Sequence, residues 1–313
     1  MKYNVKISGT GSYLPENIVS NFDIERLAET SDAWIQSKLG IKERRVAQSE
    51  MPSDMGYSAA LNALANAKME KEDIDLIIFT TSSPEKILPS TACIIQNRLK
   101  LKKSIPAFDI SAACSGFIYA LNMVAPLVSM GVYRNVLIIS AEALSRVTDW
   151  SGRQCMYFGD GAGAVVISKA ENGWLCIEVN ADGSGTGMTG FCLPLSEKFT
   201  MVGKEVWDKA SSVIPQSVKS VLDAAGVSLE EVNMIIPHQP NINLLKNIAQ
   251  SLGVPMGKVK TVVHKFANLA SASIPVALHE AISEGEVKHG DTLVFTAIGS
   301  GWTWGSAVVK YDL

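Results

Sequence analysis

The sequence predicts an α/β protein built from two copies of one unit, with apolar sheets sandwiching buried helices. Three patterns lead there. Residues 61–78 read as a helix, an acidic turn and a strand ending Glu72-Asp73-Ile74-Asp75-Leu76-Ile77-Ile78, and residues 221–236 repeat this, ending Glu230-Glu231-Val232-Asn233-Met234-Ile235-Ile236. A strand pair closes each copy, 135–139 with 163–167 and 291–295 with 305–309, too apolar to leave a face in water. The stretch Phe117 to Met130 is apolar nearly all round, as a helix enclosed between layers must be. Two copies at so long a period exclude a solenoid, which places the halves at 1–170 and 171–313 with no flexible linker.

Taken in chain order, the first copy holds the most informative element. An apolar strand, Ile105 to Ile110, stops at Ser111-Ala112-Ala113-Cys114-Ser115-Gly116 and restarts as the helix from Phe117. The first-turn N–H groups of a helix have no intrahelical partner and carry the positive end of its dipole, so a thiol there is favoured as thiolate and beside an oxyanion site. A buried structural cysteine reads the same way in sequence. Gly159-Asp160-Gly161-Ala162-Gly163 is followed by a strand where a dinucleotide-binding loop needs a helix, so its glycines are turn and close-packing positions.

In the second copy, Pro237-His238-Gln239-Pro240-Asn241 follows the strand 234–236. Phe266-Ala267-Asn268-Leu269-Ala270-Ser271-Ala272-Ser273 lies between a strand end at Thr261-Val262-Val263 and a helix from about Pro275. Singly, such a histidine is a satisfied polar residue as readily as a functional one, and such an asparagine a turn or cap. Together with Cys114 they form a set able to accept an acyl group and then stabilise the enolate of a second thioester.

Composition narrows the setting. Of 313 residues, 47% are hydrophobic and 19% charged, and 28 basic against 31 acidic side chains leave a net charge of −3 without blocks. Neither nucleic acid nor a membrane surface is expected as the main partner. The opening Met1-Lys2-Tyr3-Asn4-Val5-Lys6 has no signal-peptide core, and a cytoplasmic location is expected. Cysteines at 93, 114, 155, 176 and 192 form no C-x-x-C pair, and histidines at 238, 264, 279 and 289 lack metal-ligand spacing. Neither a disulfide scaffold nor a zinc site is expected.

Along its whole length the chain resembles the β-ketoacyl-acyl carrier protein synthase III family, initiating condensing enzymes of the thiolase fold. The resemblance is carried by Gly9-Thr10-Gly11-Ser12-Tyr13-Leu14-Pro15, Thr30-Ser31-Asp32-Ala33-Trp34-Ile35, the Cys114 run, Phe158-Gly159-Asp160-Gly161-Ala162-Gly163-Ala164, the His238 and Asn268 loops and Gly299-Ser300-Gly301-Trp302-Thr303-Trp304-Gly305. It implies a layered αβαβα sandwich and a homodimer. Cys114 would take an acyl group from acyl-CoA, with the backbone N–H groups of Cys114 and Ser300 as oxyanion hole. His238 and Asn268 would then hold the enolate left when a malonyl thioester, on acyl carrier protein or CoA, loses CO2. No cofactor is implied beyond CoA thioesters as substrates. Thr30, Trp34, Lys38, Arg153, Gly203 and Asn241 match CoA- and pantetheine-binding positions, and Leu88 matches the residue of the dimer partner that closes the acyl pocket.

Departures from the family pattern bear on substrate. Asp208, Asn243, Gln250 and Ser251 stand where a basic patch meets an acidic carrier, with Lys209 and Lys246 as nearby substitutes. Leu88 stands where phenylalanine is common, Ala267 replaces a glycine, and Pro240 an alanine, as in specialised-metabolite branches. A non-condensing acyltransferase, passing its acyl group to oxygen or nitrogen, is the alternative reading.

Overall fold

The computed structural model describes residues 1–187, 189, 190 and 200–312; Cys192 lies outside the described residues. Ten strands set the frame: β1 (Lys2–Tyr3), β2 (Val5–Tyr13), β3 (Leu76–Thr80), β4 (Ala107–Ile110), β5 (Asn135–Ala143), β6 (Asp160–Lys169), β7 (Trp174–Ala181), β8 (Met234–Pro237), β9 (Thr292–Gly299) and β10 (Thr303–Lys310). One sheet runs β2-β6-β5-β3-β4 and the other β1-β7-β10-β9-β8. In the first, β3 is parallel to β4 and β5; in the second, β8 is parallel to β9, and the remaining pairs are antiparallel.

Seven helices position the site: α1 (Asp32–Leu39), α2 (Pro52–Ala67), α3 (Thr91–Leu99), α4 (Gly116–Ser129), α5 (Gly203–Ala225), α6 (Ile242–Leu252) and α7 (Ser273–Ser283). Side chains alternate across a strand, so a strand apolar at every position needs cover on both faces. On β3, Leu76 and Ile78 pack inward against α4, whereas Ile77 and Phe79 pack outward against α2 and α3. The second sheet does the same: Leu293 and Phe295 face the central layer, and Val294 faces α5 and α6. The five layers are therefore α2/α3, sheet, α4/α7, sheet, α5/α6, and the middle helices fill the shared core with Phe117, Leu121, Val124, Val276 and Leu278.

The repeat is visible strand by strand, β2 matching β7, β6 matching β10, β5 matching β9 and β3 matching β8. Where β4 should have its counterpart, only the parallel bridge Ile235–Val259 remains. The expected strand end at Thr261-Val262-Val263 is instead the entry to a short helix, Val263–Phe266. Its cause is the buried Gln239 side chain, whose Oε1 accepts the Val262 and Val263 N–H groups at 2.9 and 3.2 Å and so removes them from any ladder. The strand before Cys114 starts at Ala107 rather than Ile105, because Pro106 has no N–H to give. At the other end β1 pairs across the repeat, Lys2 with Cys176 and Tyr3 with Leu175, so the first residues of the chain belong to the second sheet.

Close packing of β2 on α2 demands glycine at two positions. A Cβ on Gly11 would collide with the Ala59 carbonyl and the Ala63 nitrogen, and one on Gly9 with the Ala63 carbonyl, all backbone atoms that cannot step aside. Gly11→Ala is expected to cost about 1–3 kcal/mol and lower the melting midpoint by several degrees in a thermal scan. An unchanged midpoint would contradict this packing.

Candidate active site

Cys114 sits where β4 ends and α4 begins. Ala113 before it has φ +47°, an uncommon left-handed conformation that turns the chain sharply outward. The Ser115 and Thr303 hydroxyls hold the turn, 2.8 Å apart and 2.7 and 3.1 Å from the Ala112 carbonyl. Gly299, ending β9, presses against the same turn: a Cβ there would lie 2.8 Å from the Cys114 nitrogen and 3.0 Å from the Ala113 Cβ. That approach brings the Ser300 backbone beside Cys114 on one cavity wall.

His238 follows β8, its N–H donating to the Thr296 carbonyl at 2.8 Å and its Nδ1 lying 3.1 Å from the Ser273 hydroxyl. Burial pushes the imidazole down to about 4, against a smaller pull from the Ala270 carbonyl, so the ring is neutral at physiological pH. Asn268 is pinned by its own backbone to Tyr157 and Gly159. Its Oδ1 accepts the Ala270 N–H at 2.8 Å. A backbone N–H can be met only by the oxygen, so the amide orientation is fixed and Nδ2 is the donor left for the cavity.

Cys114, His238, Asn268 and Ser300 line one cavity of about 940 Å³, together with Lys38, Gly203 and Asn241. A second, smaller pocket of about 220 Å³ gathers Thr30, Trp34 and Arg153. The Arg153 guanidinium lies 5.6 Å from the Trp34 ring centroid. A flat base between them needs about 7 Å, two van der Waals spacings, so the pair must open slightly to admit one. The Thr30 hydroxyl is buried with no hydrogen-bond partner among the described residues. Asn241 is also the N-cap of α6, its Oδ1 accepting from Leu244 N–H at 2.9 Å. Leu88 does not reach the cavity of its own chain; it is 82% exposed, beside exposed Ile87.

Two expectations change. The helix start was expected to favour the Cys114 thiolate, but partial burial on the cavity wall and the Glu142 carboxyl push the thiol up to about 12. Burial outweighs the helix N-terminus, and the resting group is a thiol. Lys209 is not free to meet a carrier: it pairs with Asp182 at 2.7 Å and lies over the Trp304 ring. Asn243 donates to the Lys38 carbonyl at 2.7 Å and so completes the end of α1.

Sequence reasoning passed over Ser273, which touches His238, and Glu142, buried near the nucleophile. Glu142 had a visible signal, a lone carboxylate inside the apolar run 136–144. Strain clusters here too. Lys68 and Lys100 have positive φ as helix C-caps, and the other such non-glycine residues described, Ala113, Ala267, Ala270 and Trp302, all border the site.

Two family models match this chain: 3-oxoacyl-[acyl-carrier-protein] synthase III over residues 108–183 and the C-terminal region of that synthase over residues 222–311. A beta-ketoacyl-[acyl-carrier-protein] synthase III of Aquifex aeolicus is 45% identical over 98% of this chain and 99% of its own. Among solved structures, the 3-oxoacyl-[acyl-carrier-protein] synthase III of Aquifex aeolicus superposes with a TM-score of 0.95 at 44% identity, covering 98% of this chain and 100% of its own. The Pseudomonas aeruginosa synthase III gives 0.94 at 33% identity, with 99% of both chains covered.

Two outcomes test the site. Ala267 has φ 58° and ψ −155°, a region open essentially to glycine alone, so Ala267→Gly is expected to stabilise by about 1–3 kcal/mol in urea unfolding. A loss of stability would contradict the strain. Because His238 titrates near 4 folded and near 6.5 unfolded, the unfolded chain binds a proton that the folded chain refuses, and stability falls as pH drops through that window. His238→Gln should flatten this part of the acid limb; an unaltered slope would contradict a buried neutral imidazole.

Proposed function

The chain belongs to the 3-oxoacyl-[acyl-carrier-protein] synthase III family, and from that premise we propose that it transfers an acyl group from acyl-CoA to Cys114 and condenses it decarboxylatively with a malonyl thioester. The observation that carries the proposal is the convergence of Cys114 from the first half with His238 and Asn268 from the second on one cavity.

The adenine of CoA enters between Trp34 and Arg153, where cation and ring faces suit a flat base and the Thr30 hydroxyl lacks a partner. The pantetheine arm passes Lys38, Gly203 and Asn241 to Cys114. As Sγ attacks the thioester carbon, the oxyanion faces the N–H groups of Cys114 and Ser300, and CoA leaves as the thiol. A malonyl thioester then takes its place. Its carboxylate departs as CO2, and the electron pair forms an enolate whose oxygen is met by His238 and Asn268. Burial keeps His238 neutral, so it meets the enolate through Nε2 beside the fixed Asn268 amide and neither partner carries a charge. The enolate carbon attacks the acyl-enzyme, giving a 3-oxoacyl thioester and freeing Cys114.

Transfer to an oxygen or nitrogen acceptor would use Cys114 and His238 but gives no purpose to the fixed Asn268 amide. On the carrier side, Lys204 is paired with Asp208 at 2.8 Å and Lys209 with Asp182, leaving little free positive charge on α5. This supports malonyl-CoA, or a carrier that docks with little charge attraction, as extender. Exposed Ile87 and Leu88 support a homodimer in which each copy closes the other's acyl pocket, with leucine leaving room for primers longer than acetyl.

Intact-protein mass spectrometry after incubation with a panel of acyl-CoAs, then malonyl-CoA or malonyl-carrier, tests the reading. Acyl adducts on wild type and none on Cys114→Ser, discharged with CO2 and a 3-oxoacyl product, are expected. Discharge only to water or a heteroatom acceptor, or no adduct at all, would overturn it.

A further inference from the structure

The reaction above makes no use of Glu142, a fully buried carboxyl near the end of β5. It has no cationic partner among the described residues and is met by neutral donors instead. The Ser82 N–H lies 3.1 and 3.0 Å from its two oxygens. The Ser83 hydroxyl takes the Ala143 N–H at 2.9 Å, so its own proton goes to Glu142 Oε2 at 2.8 Å. The Ser271 hydroxyl stands 2.6 Å from Oε1 and 3.3 Å from the Thr80 carbonyl. One hydroxyl proton faces two acceptors. Pointed at Oε1, it satisfies a carboxylate; pointed at Thr80, it leaves Ser271 Oγ to accept from a protonated carboxyl.

This cluster packs against the start of α4, directly after the nucleophile. A Cβ on Gly116, two residues after Cys114, would lie 3.1 Å from Thr80 Cβ and 3.5 Å from Ser271 Cβ. Ser271 also stands on the segment between Asn268, whose amide faces the cavity, and Ser273, which touches His238. A second anion beside a buried carboxylate is repelled strongly, whereas one anion met by these donors is tolerated.

We propose that Glu142 is a positioning residue that shares one negative charge with Cys114, ionised while Cys114 is a thiol or thioester and protonated when the thiolate forms. Ser271 turns its hydroxyl between Oε1 and Thr80 as this happens. The proton count closes. Thiolate and protonated Glu142 with acyl-CoA become acyl-cysteine, carboxylate and CoA thiol. Condensation then frees the thiolate, and Glu142 takes up one proton from water, the single proton the overall reaction consumes. Of the other titratable groups on elements around it, His238 is held neutral, Asp160 on β6 is occupied by Ala47 and Ser145, Asp54 on α2 is paired with Arg98 at 2.7 Å, Tyr57 on α2 lies under the same guanidinium, and Glu85 accepts the Ser53 N–H at 3.4 Å. Burial raises the Glu142 carboxyl by more than its hydroxyl and N–H donors lower it.

The inference rests on Cys114 being the nucleophile, yet its test needs neither acyl-CoA nor malonyl thioester. The rate of iodoacetamide alkylation at the Cys114 peptide is followed against pH in wild type, Glu142→Gln and Ser271→Ala. With no carboxylate to repel it, the thiolate forms more readily: alkylation of Glu142→Gln at pH 7 should rise about tenfold, its profile displaced to lower pH. Ser271→Ala, which removes one donor from the carboxylate, should move the same way by less. A purely structural Glu142 would change stability and turnover but not this profile. An unmoved profile in Glu142→Gln, or in Ser271→Ala should the first variant not fold, overturns the inference, as does displacement to higher pH.

Discussion

The Cys114 nitrogen and the Gly299 backbone approach so closely that a single methyl group on residue 299 would occupy the space between them. That contact joins the repeats, since Cys114 lies on the turn after β4 of one sheet and Gly299 ends β9 of the other. The layered core stacks the two sheets about α4 and α7, and the carboxyl ends of their parallel strands open on a common crevice, where ligands bind in α/β folds. His238 arrives at the end of β8 and Asn268 on the loop into α7. Neither repeat alone holds the nucleophile and the enolate donors together.

The cavity is costly to maintain. Ala113, Ala267, Ala270 and Trp302 sit at positive φ, and the ionisable groups Glu142 and His238 are buried. The core of buried strands on both sides makes this strain tolerable, because the loops cannot relax without unpacking α4 or α7. Burial also sets the chemistry. It keeps His238 neutral, as a hydrogen-bond donor to an enolate should be, and it keeps the resting Cys114 protonated, so ionisation has to be offset locally.

Much of this was legible in the sequence. The repeated helix–turn–strand at 61–78 and 221–236 gave the architecture because apolar periodicity is local. Cys114, His238 and Asn268 stood out because reactive or amide side chains followed strand ends. What was not legible depended on partners distant in sequence. Gln239 reads as a loop residue, yet its side chain dissolves the expected strand at Thr261-Val262-Val263. The acidity expected of Cys114 from a helix start was overruled by partial burial and the Glu142 carboxyl, which a linear pattern does not show. Lys209 looked free until Asp182 was found beside it.

The division of labour between the repeats is the central claim, and Asn268→Ala tests it most directly when acylation and decarboxylation are timed separately in single turnovers. The account expects acyl-Cys114 to form at close to the wild-type rate while CO2 release from the malonyl thioester falls by about 10² to 10³. An equal loss in both steps, or decarboxylation that survives intact, would contradict it.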